Sequence, residues 1–177
     1  MPAAGRMWVS TFHSACVRIL RREAAAIGLR QSFSIYDSAD SQRLLTMVLR
    51  ELDLDPKKFP AKQLQNKISS LKDELVTPER YAAESGASSP SGSSANEVDQ
   101  VLSDVYTRYQ TRLRQAHALD FDDLLMSIAT LLQEHPAVAE HYRRRFRHVL
   151  VDEYQDTNRA MARRPAHRRS SIGSARR

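Results

Sequence analysis

Apolar residues recur at steps of three and four along most of this chain, and that spacing predicts a largely helical protein with a few short extended pieces. Val17, Leu20, Ala24 and Ile27 share one helical face, with Thr11 or Ser14 available to cap its start and Gly28 to cap its end. Leu44, Leu45, Val48, Leu49 and Leu52 form the face of a second helix that begins near Ser38 and stops before Pro56. Pro60 suits the first turn of a third, with Leu64, Ile68, Leu71 and Leu75 at helical spacing among lysines, glutamines and serines. Thr77-Pro78-Glu79 reads as a further helix start. Val98, Val101, Leu102, Val105, Tyr109 and Leu113 mark a long amphipathic helix. Asp120 opens another through Leu124, Leu125, Ile128, Leu131 and Leu132, and Pro136 a shorter one.

Between and around these helices the pattern changes. Met7, Trp8 and Val9 read as a short buried strand running into the first helix, and 33–36 as a short extended piece. His148-Val149-Leu150-Val151 has the β-branched, unbroken apolar character of a buried parallel strand. Residues 85–95 are serine, glycine, alanine and one proline, a composition that buries nothing and predicts a flexible loop. From Arg159 onward apolar periodicity vanishes, as in a disordered tail.

Charge modifies this picture less than its total suggests. The chain has 177 residues and a formal charge of +6, but residues 159–177 hold seven arginines and no acid. Removing those seven from the 27 lysines and arginines leaves 20 basic residues against 21 acidic ones, so the body is nearly neutral and a DNA-binding reading must rest on particular residues. The single cysteine, Cys16, excludes an internal disulfide and a cysteine-only zinc site, and reads as a buried helix residue. No apolar run approaches a membrane span, and the N-terminus lacks the apolar core of a secretory signal; a cytoplasmic protein is expected.

The candidate chemistry lies at the end of the last strand. Asp152 and Glu153 follow Val149-Leu150-Val151 directly, and in an open α/β sheet ligands bind beyond the carboxyl ends of strands. A carboxylate pair so placed suits Mg²⁺ and the attack of water on a phosphate, the Walker B arrangement, although Asp-Glu after a strand is also an ordinary exposed turn. Asp120, Asp122 and Asp123 are better explained as a helix cap with favourable dipole partners than as a metal cluster. The basic run of His141, Arg143, Arg144, Arg145, Arg147 and His148 either approaches nucleic acid or is a solvated face.

Three strings decide between these readings. Asp152-Glu153-Tyr154-Gln155-Asp156-Thr157-Asn158 resembles motif II of the UvrD/PcrA/Rep superfamily 1A DNA helicases. Trp8-Val9-Ser10-Thr11-Phe12-His13-Ser14 resembles the segment that this family places by its single-stranded DNA track. Leu119-Asp120-Phe121-Asp122-Asp123-Leu124 matches a segment upstream of motif II, and all three stand in the family's order. The resemblance covers roughly residues 7–158. It implies an α/β parallel-sheet motor domain of which this chain is a mostly α-helical piece with two short strands. It also implies that Asp152 coordinates Mg²⁺ at the ATP site, Glu153 is the catalytic base, Gln155 links nucleotide to DNA, and Thr11, Phe12 and His13 border DNA. The DNA partner would be a single strand and its junction with duplex.

The expected organisation is a lead at 1–6, a partial helicase ATP-binding domain at 7–158 with a helical insertion at about 30–118, and a basic disordered or frame-shifted tail at 159–177. None of the five glycines, at 5, 28, 86, 92 and 173, is followed by lysine, so the phosphate-binding Gly-x4-Gly-Lys-Ser/Thr string is missing and is expected to lie upstream, with the second motor domain also lacking. Such a chain is expected to be marginally stable and inactive alone. Two alternatives stay open: a helical DNA- or partner-binding module without nucleotide chemistry, and a non-functional truncated product.

Overall fold

The computed structural model describes residues 8–87 and 94–149. Seven helices and two short strands follow one another as α1 (Phe12–Glu23, prolonged by a 3-10 turn, Ala24–Ile27), β1 (Ser34–Tyr36), α2 (Ser38–Glu51), α3 (Ala61–Asp73), α4 (Pro78–Ala87), α5 (Ser94–Gln115), β2 (Ala118–Asp120), α6 (Phe121–Glu134) and α7 (Pro136–Arg145). The caps explain most boundaries. Thr11 caps α1 through its side chain, Asp37 caps α2 and Asp120 caps α6, each satisfying an amide that the first turn leaves free. Gly28 ends the first helical segment in the left-handed conformation, φ 68°, and Leu29 N–H reaches back to the Ala24 carbonyl at 2.9 Å.

The two strands pair in parallel, Ser34 with Ala118, Ile35 with Leu119 and Tyr36 with Asp120, so α2 to α5 form the crossover between them. Alternation across this small sheet divides the interior in two. Ala118 and Tyr36 face a core built largely by α2, α3 and α5, with Leu45, Val48, Leu49, Phe59, Leu64, Ile68, Leu102, Val105, Tyr106, Tyr109 and Leu113. Leu119 and Ile35 face a second core with Phe33, which precedes β1, and Cys16, Leu20, Leu124, Leu125 and Leu131 from α1 and α6. The sheet is thus the wall between the α2–α5 layer and the layer that carries both ends of the described chain. Burial pushes the Cys16 thiol up to about 11, which fits the structural role expected of it.

Several expectations are corrected. Two short strands are present, as the fold class requires, at Ser34–Tyr36 and Ala118–Asp120; the strand expected at 148–151 lies half outside the described residues. Trp8, Val9 and Ser10 have no regular structure and Val9 is 89 % exposed, while His148 and Val149 are likewise irregular and Val149 is 69 % exposed. A strand exists only with a ladder partner, and no described segment pairs with either piece in a ladder. Leu150 and Val151 lie outside the described residues, as do the whole carboxylate string and the 159–177 tail. The expected loop at 85–95 is narrower: α4 continues to Ala87 and α5 begins at Ser94, leaving 88–93, which are not described. The third helix ends at Asp73 rather than running to Leu75, whose φ of 58° is left-handed.

His117, between α5 and β2, holds a similar conformation, φ 49°, while its carbonyl accepts from Ser34 N–H at 3.0 Å and so starts the sheet. A Cβ is costly there, and a glycine is not. His117→Gly is expected to raise stability by about 0.5–1 kcal/mol, seen as a melting-temperature rise of about 1–4 °C; a fall would show that the imidazole makes a compensating contact.

Candidate nucleic-acid interface

The N-terminus of α1 presents the residues singled out in the sequence. Thr11 accepts from Ser14 N–H at 3.3 Å through Oγ1, which lies 2.8 Å from Ser14 Oγ. No acid occupies the first turn of α1, in contrast to α2 and α6, so the partial positive charge of its amides is not offset locally. Phe12, the first helical residue, is 44 % exposed and is not the core aromatic that a strand end would bury. His13, partly buried, turns its ring edge-on to Phe121, with centroids 5.5 Å apart and planes at 85°. Phe121 is itself 46 % exposed, the first residue of α6.

The structure therefore brings Thr11, Phe12 and His13 together with an aromatic that the pattern reading passed over. Phe121 stands four residues before Leu125 and seven before Ile128, in line with the apolar stripe of α6, and by spacing alone it reads as core. An available signal was its place between acids in the first turn, where the cap and not the core fixes the backbone. A cavity of about 250 Å³ opens beside it, lined among others by Tyr36, Leu45, Lys62, Gln65 and Ile68.

Behind Phe121 lies a charged centre. Asp120 and Asp123 form a capping box: Asp123 N–H donates to Asp120 Oδ1 at 2.8 Å, and Asp120 N–H to Asp123 Oδ2 at 3.4 Å. This is the structural role expected for these acids. The unanticipated partner is Lys72 of α3, 1 % exposed, whose Nζ lies 2.6 Å from Asp120 Oδ2 and 2.8 Å from Asp123 Oδ1. Tyr109 donates to Asp120 at 2.9 Å, and Gln110 donates to both oxygens of Asp123 at 3.0 Å. Burial alone would lower the Lys72 ammonium, but Asp123 and Asp120 together outweigh it and hold it above the ordinary lysine value. Burial, followed by the neighbouring carboxylates, raises Tyr106, and burial and Asp120 raise Tyr109, so both phenols stay protonated.

The basic run resolves into separate contacts. Arg143 and Arg144 pair with Glu140 on the surface of α7. Arg145 and Arg18 both lie over the Trp8 ring, 5.1 and 4.7 Å from its centroid, and Phe146 meets that ring edge-on at 5.1 Å. Trp8 is thereby fixed between α1 and the end of α7. No helix among the described residues is long and apolar enough to cross a membrane.

The family described as the UvrD/REP helicase N-terminal domain matches residues 1–164 of this chain. The chain belongs to that family. Among curated UvrD/REP relatives, the ATP-dependent DNA helicase UvrD1 of Mycobacterium tuberculosis is 56 % identical over 155 residues, covering 87 % of this chain and 19 % of the relative. UvrD1 of Mycobacterium leprae is 53 % identical over the same shares. The ATP-dependent DNA helicase PcrA of Bacillus subtilis is 46 % identical over 159 residues, 90 % of this chain and 20 % of that protein. The chain thus spans about a fifth of the length of these UvrD/REP relatives and is a UvrD/PcrA-type helicase fragment, mostly helical with two short parallel strands.

Proposed function

We propose that this chain is part of the first motor domain of an ATP-dependent DNA helicase and that the face formed by Thr11, Phe12, His13 and Phe121 holds a single DNA strand. The observation that carries the reading is the pair of half-exposed phenyl rings, Phe12 and Phe121, flanking His13 at the uncompensated positive end of α1. Aromatic faces accept any base, and free helix-terminal amides attract phosphate, which together suit binding without sequence preference. Thr11 Oγ1 and Ser14 Oγ add hydroxyls at the same end. Duplex next to the strand would meet the insertion, about residues 30–118, and the work would be unwinding in repair or replication in the cytoplasm.

The nucleotide chemistry belongs to residues outside the described part. The donor set of Asp152 and Glu153 is hard carboxylate oxygen, which fits Mg²⁺. In the proposed roles Asp152 holds the ion, which when bound neutralises charge on the phosphates. Glu153 orients and deprotonates the attacking water, and Gln155 links this site to the DNA face. Without a Gly-x4-Gly-Lys-Ser/Thr string in the sequence, backbone amides to cradle the triphosphate are missing, and the chain alone is proposed to be inactive.

Fluorescence anisotropy with a labelled oligothymidylate tests the strand face. Phe121→Ala and Phe12→Ala are each expected to weaken binding by about 5- to 100-fold, the range of one lost base stack. Unchanged affinity in both variants would remove the proposal. Mg-ATP hydrolysis measured with and without DNA is expected to stay at background; turnover that Glu153→Gln abolishes would show that a working nucleotide site survives here.

A further inference from the structure

We propose that Lys72 is a positioning residue for the strand-binding aromatic Phe121, so that α3 of the helical insertion sets how firmly a DNA strand is held at the α1/α6 face. The inference rests on the reading of His13 and Phe121 as a strand contact and adds what controls it.

A buried ammonium is a poor way to fill space, because taking three charges out of water costs more than packing apolar groups of the same volume. Lys72 continues the buried stripe Leu64, Ile68 of α3 at steps of four, where the pattern calls for a leucine or methionine. What the lysine adds is direction. Its Nζ bonds both carboxylates of the α6 capping box, at 2.6 and 2.8 Å, and these two residues bracket Phe121 in sequence. Tyr109 and Gln110 of α5 complete the same two carboxylates. Gln110 commits its amide to Asp123 although its own Oε1 is then buried without a hydrogen-bond partner, so the geometry at Asp123 is maintained at a polar cost.

The first turn of α6 is therefore fixed from the insertion. Phe121 projects from that turn, nearly half exposed, and its edge-to-face contact with His13 depends on the turn's orientation. A displacement of α3, such as duplex bearing on the insertion would produce, pulls on Asp120 and Asp123 through Lys72 and shifts Phe121 relative to His13. The parallel sheet also joins the two layers, so Lys72, together with Tyr109 and Gln110, is a side-chain link between them that is independent of the ladder.

The test is a double-mutant cycle on the 177-residue chain with a labelled oligothymidylate. Lys72→Arg keeps the charge but not the geometry, and Lys72→Met with Asp123→Asn keeps the charge balance; Tyr109→Phe, which removes one bond to Asp120, is the mildest variant. Circular dichroism verifies folding of each. With Phe121 present, the Lys72 variants are expected to weaken binding roughly five- to tenfold. With Phe121→Ala as background they should change it no further, an interaction that a merely structural role does not give. Equal losses in both backgrounds, or none in either, would overturn the proposal.

A second readout needs no DNA. The ring protons of His13, assigned by their loss in His13→Gln, lie in the ring current of Phe121 and should shift in the NMR spectrum of folded Lys72 or Tyr109 variants. If the wild-type chain fails to bind the oligonucleotide, or Phe121→Ala binds as well as wild type, the strand reading fails and the His13 shift decides alone. Unmoved His13 resonances in a folded variant would then refute the positioning role.

Discussion

Raising the pH above about 10 is expected to cost this chain several kcal/mol of stability per pH unit, because a set of buried groups keeps protons that the unfolded chain releases. Lys72, Tyr106, Tyr109 and Tyr142 all titrate higher in the folded chain than in the unfolded one, and so does Cys16 from its lower starting value. For a group with a raised folded value the native state keeps a proton that the unfolded chain releases. Its stabilising contribution is complete below the unfolded value and disappears as pH climbs toward the folded one. Unfolded tyrosine and lysine release protons near pH 10 to 10.4, so the loss begins there, at about 1.4 kcal/mol per unit for each group. Ordinary domain stabilities of about 5–15 kcal/mol would be consumed within a few units. Helical circular dichroism followed against pH measures this. Tyr109→Phe should lower the slope by one group's share, about 1.4 kcal/mol per unit, and a chain still folded at pH 13 would show that these groups titrate normally.

Removal of the Lys72 ammonium is the substitution expected to damage the fold most. Lys72→Met leaves Asp120 and Asp123 buried side by side without their cation, a loss of about 3–5 kcal/mol. For a chain of this length that is a fall in melting temperature of about 10 °C or more. Converting both acids to asparagine in the same protein removes the stranded charge while leaving side-chain oxygens able to cap α6, and most of the loss should return. A melt of Lys72→Met within about 2 °C of wild type would mean that water reaches the carboxylates and the pair contributes little.

Both effects involve Lys72, a residue that no sequence motif singles out. Helix boundaries were legible because local chemistry writes them: Pro60 before α3, Asp37 and Asp120 as caps, Gly28 in the left-handed position, Pro136 at the start of α7. The strands were not, since three residues carry too little pattern and pairing between residues 34–36 and 118–120 is a long-range fact. The 33–36 segment was legible only as extended, and 118–120 only as the start of a matching string. Trp8-Val9 and His148-Val149 have strand composition but no described partner. Lys72 sat on the buried stripe with Leu64 and Ile68, an anomaly visible in sequence, yet its partners are 48 and 51 residues away and nothing local names them. Thr11, Phe12 and His13 were identified by resemblance, while Phe121 meets His13 only through the fold. Asp152, Glu153 and Gln155 keep the standing the resemblance gives them.

The parallel pairing of β1 and β2 also governs which remodelled versions of this chain can exist. Because the strands run the same way, Tyr36 leaves one end of the sheet and Ala118 enters at the other, so whatever joins them must travel back along it. A tight two-residue turn cannot replace α2 to α5. A different helical module of any length can, provided its ends are set one strand length apart and it brings its own cation to Asp120 and Asp123. The crossover is an exchangeable cassette with a two-part fitting, backbone on one side and charge on the other, and grafts that supply only the first should fold around a loosened α6.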